Sequence, residues 1–313
     1  MAKRKYSKIA KTEPAEKTLL FQLTGGQSTT YIDLAQCMSI VNRRFYRQGI
    51  NVAVADFKLV STAGVNGGLS VSRVPHTYVA ANAWKKAFEA WNKQQKEALA
   101  ESGASGARAK FSDFKVYLDT GHVAATNLLP TDFAGVPAAP GEWEYSQIVI
   151  PNSGAPGVND ERYLHFTGAN FNNPTSRGLI EGYADSRAFP QSPDPVDSGL
   201  DSNSNWLAKM FDVGDNQGDV IDNATDKNDE LPYPQVNYPG GENQLATPQY
   251  HDSAFIGGNT IGGITHLTGG QFYCGLVRMD HNFIIPEGGS VFLKLTLVAG
   301  NHRGYLCEPM GDV

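Results

Sequence analysis

An all-β sandwich with helical insertions is the fold class this sequence predicts. Three observations point to it. Glycine and proline are frequent, 33 and 17 of 313 residues, and such punctuation marks many short strands joined by turns. Period-two alternation recurs, clearest where Leu293, Leu295 and Leu297 face one side and Lys294 and Thr296 the other. Helical stretches interrupt the strands without alternating regularly with them, which argues against a doubly wound parallel sheet. The composition, 41% hydrophobic and 19% charged, excludes a disordered chain and a coiled coil.

Eight segments read as antiparallel strands: Thr18–Leu23, Asn51–Ser61, Gly68–Val74, Phe111–Leu118, Trp143–Ile150, Arg162–Thr167, Gln271–Met279 and Val291–Val298. Between the first two lies DLAQCMSIVNRRFYRQG, with Asp33 and Gln36 spaced as a capping box and Gly49 as a stop. At helical spacing Leu34, Met38, Val41 and Phe45 form one stripe, and Arg43 and Arg47 point the opposite way. This predicts a helix that packs its apolar face inward and offers guanidiniums outward. A long helix follows from about His76 to Ser102, with Trp84, Phe88 and Trp91 on one face, read as core. A shorter one is expected over Thr175–Ala188. Six aspartates between Asp212 and Asp229 recur at helical spacing. They lack the EF-hand ligand pattern and read as a solvated acidic face. Residues 231–267 are rich in Pro, Gly, Asn and Gln and are expected to form a long surface loop.

Charge is polarised along the chain. The net charge is -6, from 26 basic and 32 acidic residues. Lys3, Arg4, Lys5, Lys8 and Lys11 stand in the first eleven residues with no acid. Without those five the remainder, 21 basic against 32 acidic, is at -11. Residues 1–16 therefore read as a flexible basic arm and residues 17–313 as one sandwich domain. Basic arms of this kind touch nucleic acid or act as import signals. A second basic cluster, Arg43, Arg44 and Arg47, is interleaved with Phe45 and Tyr46. With Phe45 on the apolar stripe, Tyr46 is the expected base-stacking residue.

Catalytic signatures do not emerge. The sequence has no GxxxxGK loop, no GxGxxG, no GxSxG elbow and no HExxH helix. Three widely spaced cysteines, Cys37, Cys274 and Cys307, make neither a disulfide framework nor a zinc site. They read as buried thiols in a reducing compartment. No cofactor or metal is expected, and an enzyme is the weaker hypothesis. No apolar run reaches the roughly 18 residues of a membrane span. The start lacks the apolar segment of a signal peptide, so an intracellular setting without membrane insertion is expected.

The succession YIDLAQCMSIVNRRFYRQGI, NVAVADFKLV, SVSRVPHTYVAANAWKKAFEAWNKQQ, FSDFKVYLDTGHV, WEYSQIVIPN, NDELPYPQVNYPGG, YCGLVRMD and LVAGNHRGYLCEPMG resembles capsid proteins of small circular single-stranded DNA viruses that encode a replication initiator. These segments are spread over most of residues 30–310. The resemblance implies a viral jelly-roll sandwich of eight antiparallel strands with long loops. It also implies a structural, non-enzymatic role: about sixty copies in the simplest icosahedral shell, single-stranded DNA inside, and a virion assembled in the host nucleus or cytoplasm. Several relatives begin with a long arginine-rich arm, whereas this arm is short and lysine-led. Two other classes remain open at this point, a cellular jelly-roll ligand-binding module of lectin type and a β-sandwich enzyme.

Overall fold

The computed structural model describes residues 13–107, 113–152, 157–169, 174–187, 247–258 and 260–312. Strands β1 (Thr18–Leu23), β2 (Gly26–Asp33), β3 (Ile50–Ser61), β4 (Gly67–Arg73), β8 (Gln249–Ile256), β9 (Ile264–Tyr273), β10 (Leu276–Phe283) and β11 (Val291–Leu297) form two antiparallel sheets. One runs β1-β11-β3, with β9 on the far edge of β3; the other runs β2-β10-β4-β8. Short strands β12 (Ala299–Gly300) and β13 (Gly304–Tyr305) make a terminal hairpin, and β14 (Cys307–Pro309) extends the first sheet alongside β3.

Alternation decides which faces meet. In β1 the residues Leu19, Phe21 and Leu23 are buried, and they pair in register with Leu295, Leu293 and Val291 of β11. Phe57 and Leu59 of β3 continue the same row on the other edge of β11. Side chains directly across a ladder stabilise it as pairs, so these rows set register as well as burial. They share one core with Leu69, Val71, Ala254, Val277 and Met279 of the second sheet.

Between β4 and β8 the chain leaves the sandwich. There it forms α2 (Tyr78–Glu101), a short α3 (Thr120–Ala124), a small sheet of β5 (Gln147–Pro151), β6 (Asn159–His165) and β7 (Ser176–Gly178), and α4 (Leu179–Arg187). These elements bury a second cluster, including Ala80, Ala83, Phe114, Val116, Leu118, Phe166 and Ile180, against Tyr273, Cys274 and Leu276 of the sandwich.

Several expectations change. Phe111–Leu118 is not a strand: within its described residues only Tyr117 makes a bridge, to His165. The alternation there is real for Phe114, Val116 and Leu118, but Lys115 on the opposite side is buried too. Gln271–Met279 holds a tight turn at Cys274 and Gly275, both at positive φ, so it is the end of β9 and the start of β10. Residues 249–256 and 264–267, expected in a long loop, are β8 and the first part of β9. The polar segments GQSTTYID and QYHDSAFI form β2 and β8 because one face of their sheet is solvated. The acidic stretch 212–229 lies outside the described residues.

Candidate nucleic-acid interface

Helix α1 (Leu34–Asn42) begins where expected. The Asp33 carboxylate accepts from the Ala35 and Gln36 amides at 3.0 and 3.3 Å. It ends earlier than expected. Arg43 adopts the left-handed conformation (φ 52°) and its amide returns to the Ser39 carbonyl. The arginines therefore sit on a loop beyond the helix, and the stripe that would have buried Phe45 stops one turn short. Phe45 is 39% exposed and Tyr46 only 1%. This reverses the roles expected for the two rings. Tyr46 donates its hydroxyl to the Arg303 carbonyl at 2.9 Å and meets Tyr305 edge-on with centroids 5.5 Å apart. Burial raises its phenol pKa. It is a structural anchor, unavailable for stacking on a base.

Arg43, Arg44 and Arg47 are all exposed. Arg44 pairs with Glu13 at 3.0 Å. Nearby, the Glu16 amide donates to Asn42 Oδ1 at 3.0 Å and the Tyr305 hydroxyl donates to the Glu16 carbonyl. Lys3, Arg4, Lys5, Lys8 and Lys11 lie outside the described residues.

Beyond Tyr46 the loop is fixed by Gln48, which is buried and acts like a strand. Its Nε2 donates to the Val116 carbonyl at 2.8 Å and its Oε1 accepts from the Val116 amide at 2.6 Å. Gly49 follows. A Cβ there would lie 2.4 Å from the Trp84 ring, so only glycine lets the indole approach this backbone. The result is a cleft of about 440 Å³ lined by Phe45, Arg47, Trp84, Phe88, Phe114, His302 and Arg303. Trp84 and Phe88 stack at 5.4 Å with a 5° interplanar angle, and Phe114 stands edge-on to Trp84 at 5.8 Å. The Trp84 Nε1 is buried and meets no acceptor among the described residues. Arg303 donates to the Phe45 carbonyl. Burial, with Arg303 alongside, lowers the His302 pKa, so the cations of the cleft are its two arginines.

Behind Phe45 lies a buried polar knot. Lys115 bonds Asp113 and sits 4.6 Å from the centroid of Trp143, whose ring faces Phe45 at 6.1 Å. Trp143 Nε1 donates to Asp33 at 3.0 Å, joined there by Gln48 and Tyr145. Burial pushes the Asp33 pKa up to about 6. His122 uses both ring nitrogens, on the Leu118 amide and on Asn127, and burial lowers its pKa to about 4. These groups are committed to one another. The Asp280 carboxylate is likewise held by Arg278, and His251 by the Thr268 carbonyl. A larger cavity, about 1010 Å³, opens beside Trp143, Tyr117, Tyr145, Asn127 and Gln36 and has no Asp, Glu, Lys, Arg or His in its lining. Among the described residues no group of three or more His, Cys, Asp or Glu could hold a metal. Cys37 and Cys274 are buried, and burial raises the pKa of both thiols; Cys307 is pushed to about 12.

The sequence pointed to Lys3, Arg4, Lys5, Lys8, Lys11, Arg43, Arg44, Arg47 and Tyr46 as the candidate interface. It did not name Trp84, Phe88 and Phe114, or Arg303 beside the terminal hairpin, which line the cleft next to Phe45 and Arg47. The sequence signal for two of these rings was the helical spacing of Trp84 and Phe88 on α2, and it reads equally as core. No protein-family model, curated protein or solved structure matches the chain.

Proposed function

We propose that this chain is a structural coat protein that assembles into a closed icosahedral shell, of about sixty copies in the simplest case, around single-stranded DNA. The strand order carries the reading. Counted along the chain, β1 pairs with β11, β2 with β10, β3 with β9 and β4 with β8. That is one long antiparallel ribbon, doubled back and wrapped around its core. The β11–β3 and β10–β4 contacts then join its turns into two sheets. Such winding supports a jelly roll, the architecture of viral coats and of several binding modules.

Two further features favour the coat over the other jelly rolls. Large apolar side chains stand in solvent at one end of the sandwich: Ile261 is 96% exposed, Phe255 75% and Ile284 73%. The β3–β4 and β8–β9 connections line one cavity there, and Asn66 bridges to Ile284. Exposed apolar groups gathered at one end mark a contact with other molecules, and a second copy is the partner in a shell. The arginine loop stands at a different place, suited to sequence-independent phosphate contacts, and the basic arm of the sequence adds cations to the same chain. On this reading the protein resides in the virion and assembles in the host nucleus or cytoplasm. No catalytic step, cofactor or membrane insertion belongs to it.

The uncharged, aromatic-lined groove of about 1010 Å³ favours one alternative, a cellular module binding a neutral ligand such as a glycan. Negative-stain microscopy of the purified protein separates the two. Uniform closed particles support the coat; monomers or small oligomers across salt and pH support the module.

A further inference from the structure

We propose that the cleft between the arginine loop and α2 is a base-binding subsite for single-stranded DNA. The inference rests on the coat-protein reading and names what one copy does to the strand. Single-strand binding without sequence preference needs an aromatic platform for a base and a cation for its phosphate. The cleft supplies both. Phe45 offers a ring that the fold leaves partly in solvent, 39% exposed, in a cleft that the stacked rings of Trp84 and Phe88 also line. Every base has a π-face able to stack on such rings, so recognition tolerates any sequence. Arg47 and Arg303 stand at the rim, where a backbone phosphate flanking an inserted base would lie. A cleft of about 440 Å³ falls within the range of small-ligand pockets, roughly 300–1,000 Å³.

Duplex DNA is excluded by the same geometry, because a paired base has both faces occupied and cannot enter. Such a subsite favours single strands on a surface whose charges alone would take either form.

Stacking and charge neutralisation separate by their salt dependence. Phosphate contacts release counterions and set the slope of affinity against salt; aromatic contacts do not. The test measures binding of the purified protein to oligo(dA), oligo(dT) and a matched duplex by fluorescence anisotropy over a salt series. Phe45→Ala is expected to weaken both single strands about tenfold with the slope and the duplex affinity unchanged. Phe45→Tyr keeps a stacking face and is expected to bind as the parent does. Arg43→Ala with Arg47→Ala is expected to flatten the slope. If Phe45→Ala binds as the parent does while the arginine variant is weaker, the base subsite is wrong and the DNA-coat reading stands. If neither Phe45→Ala nor the arginine variant differs from the parent, both fail.

Discussion

In the sandwich, Phe57 and Phe272 meet edge to face 5.6 Å apart and neither is exposed. In the insertion, Trp84 and Phe88 stack at 5.4 Å and remain only partly buried, with Trp84 Nε1 meeting no acceptor among the described residues. The first region closes on itself, because its rows of Leu, Val and Phe pair across strands and face a second sheet. The second completes a fold yet keeps one aromatic wall open toward Arg47 and Arg303. Stability resides where alternation is strict, and open aromatic surface lies where a long insertion lands on the sandwich edge without covering all its rings.

The largest expected effect tests the sandwich half. Phe57→Ala should lower unfolding free energy by about 3–5 kcal/mol, as truncating fully buried aromatics does. Trp84→Ala should cost clearly less in the same urea titration, because part of its ring already faces water. Equal losses would break the distinction between a closed core and an open wall.

The buried carboxylate beneath the cleft gives the next effect. Asp33 has a folded pKa of about 6 against an ordinary 3.8, so the folded state binds its proton more readily than the unfolded chain. Its contribution is present below about pH 4 and is lost as pH rises through about 6, roughly 3 kcal/mol in all. His122 and His165, both lowered to about 4, act in the opposite sense. Their contribution is present above the unfolded imidazole value and lost as pH falls toward 4. The two histidines outweigh the one aspartate, so stability should rise with pH between about 4 and 6. Asp33→Asn should make that rise steeper, read from melting temperature against pH. An unchanged or shallower profile would contradict the assignment of Asp33 as a group held partly protonated.

The loop between the two regions was only half legible. Asp33 announces the start of α1 by its spacing, and β1, β3 and β11 announce themselves by alternation. The end of α1 does not, because nothing local stops a helix at Asn42; the pull is Tyr46 packing on Tyr305, far off in sequence. That one misjudged turn exchanged Phe45 and Tyr46. Lys115 was misread for a related reason. Its burial depends on Asp113, the Glu144 carbonyl and the face of Trp143, and only the last two lie far along the chain. Strands β2 and β8 escaped because threonine, serine and glutamine on a solvated sheet face resemble a loop.

Smaller effects sharpen the interface. Deleting residues 1–11 should lower both DNA affinity and its salt slope. Every phosphate of a single strand that the arm no longer neutralises should remove about 0.7 from that slope. Arg44→Ala should change stability by no more than about 1 kcal/mol, because its pair with Glu13 is solvent-exposed. A larger loss would mean that the arm's attachment holds the body together.

Self-assembly is the central claim, and the mass of the particle formed by the full chain tests it most directly. Analytical ultracentrifugation with absorbance at two wavelengths reports particle size and nucleic-acid content together. The account predicts one closed species of many tens of copies that carries nuclease-protected single-stranded DNA and fails to assemble when Ile261→Glu is introduced at the apolar end. A protein that sediments as a monomer at every salt and pH, with or without single-stranded DNA, would contradict it.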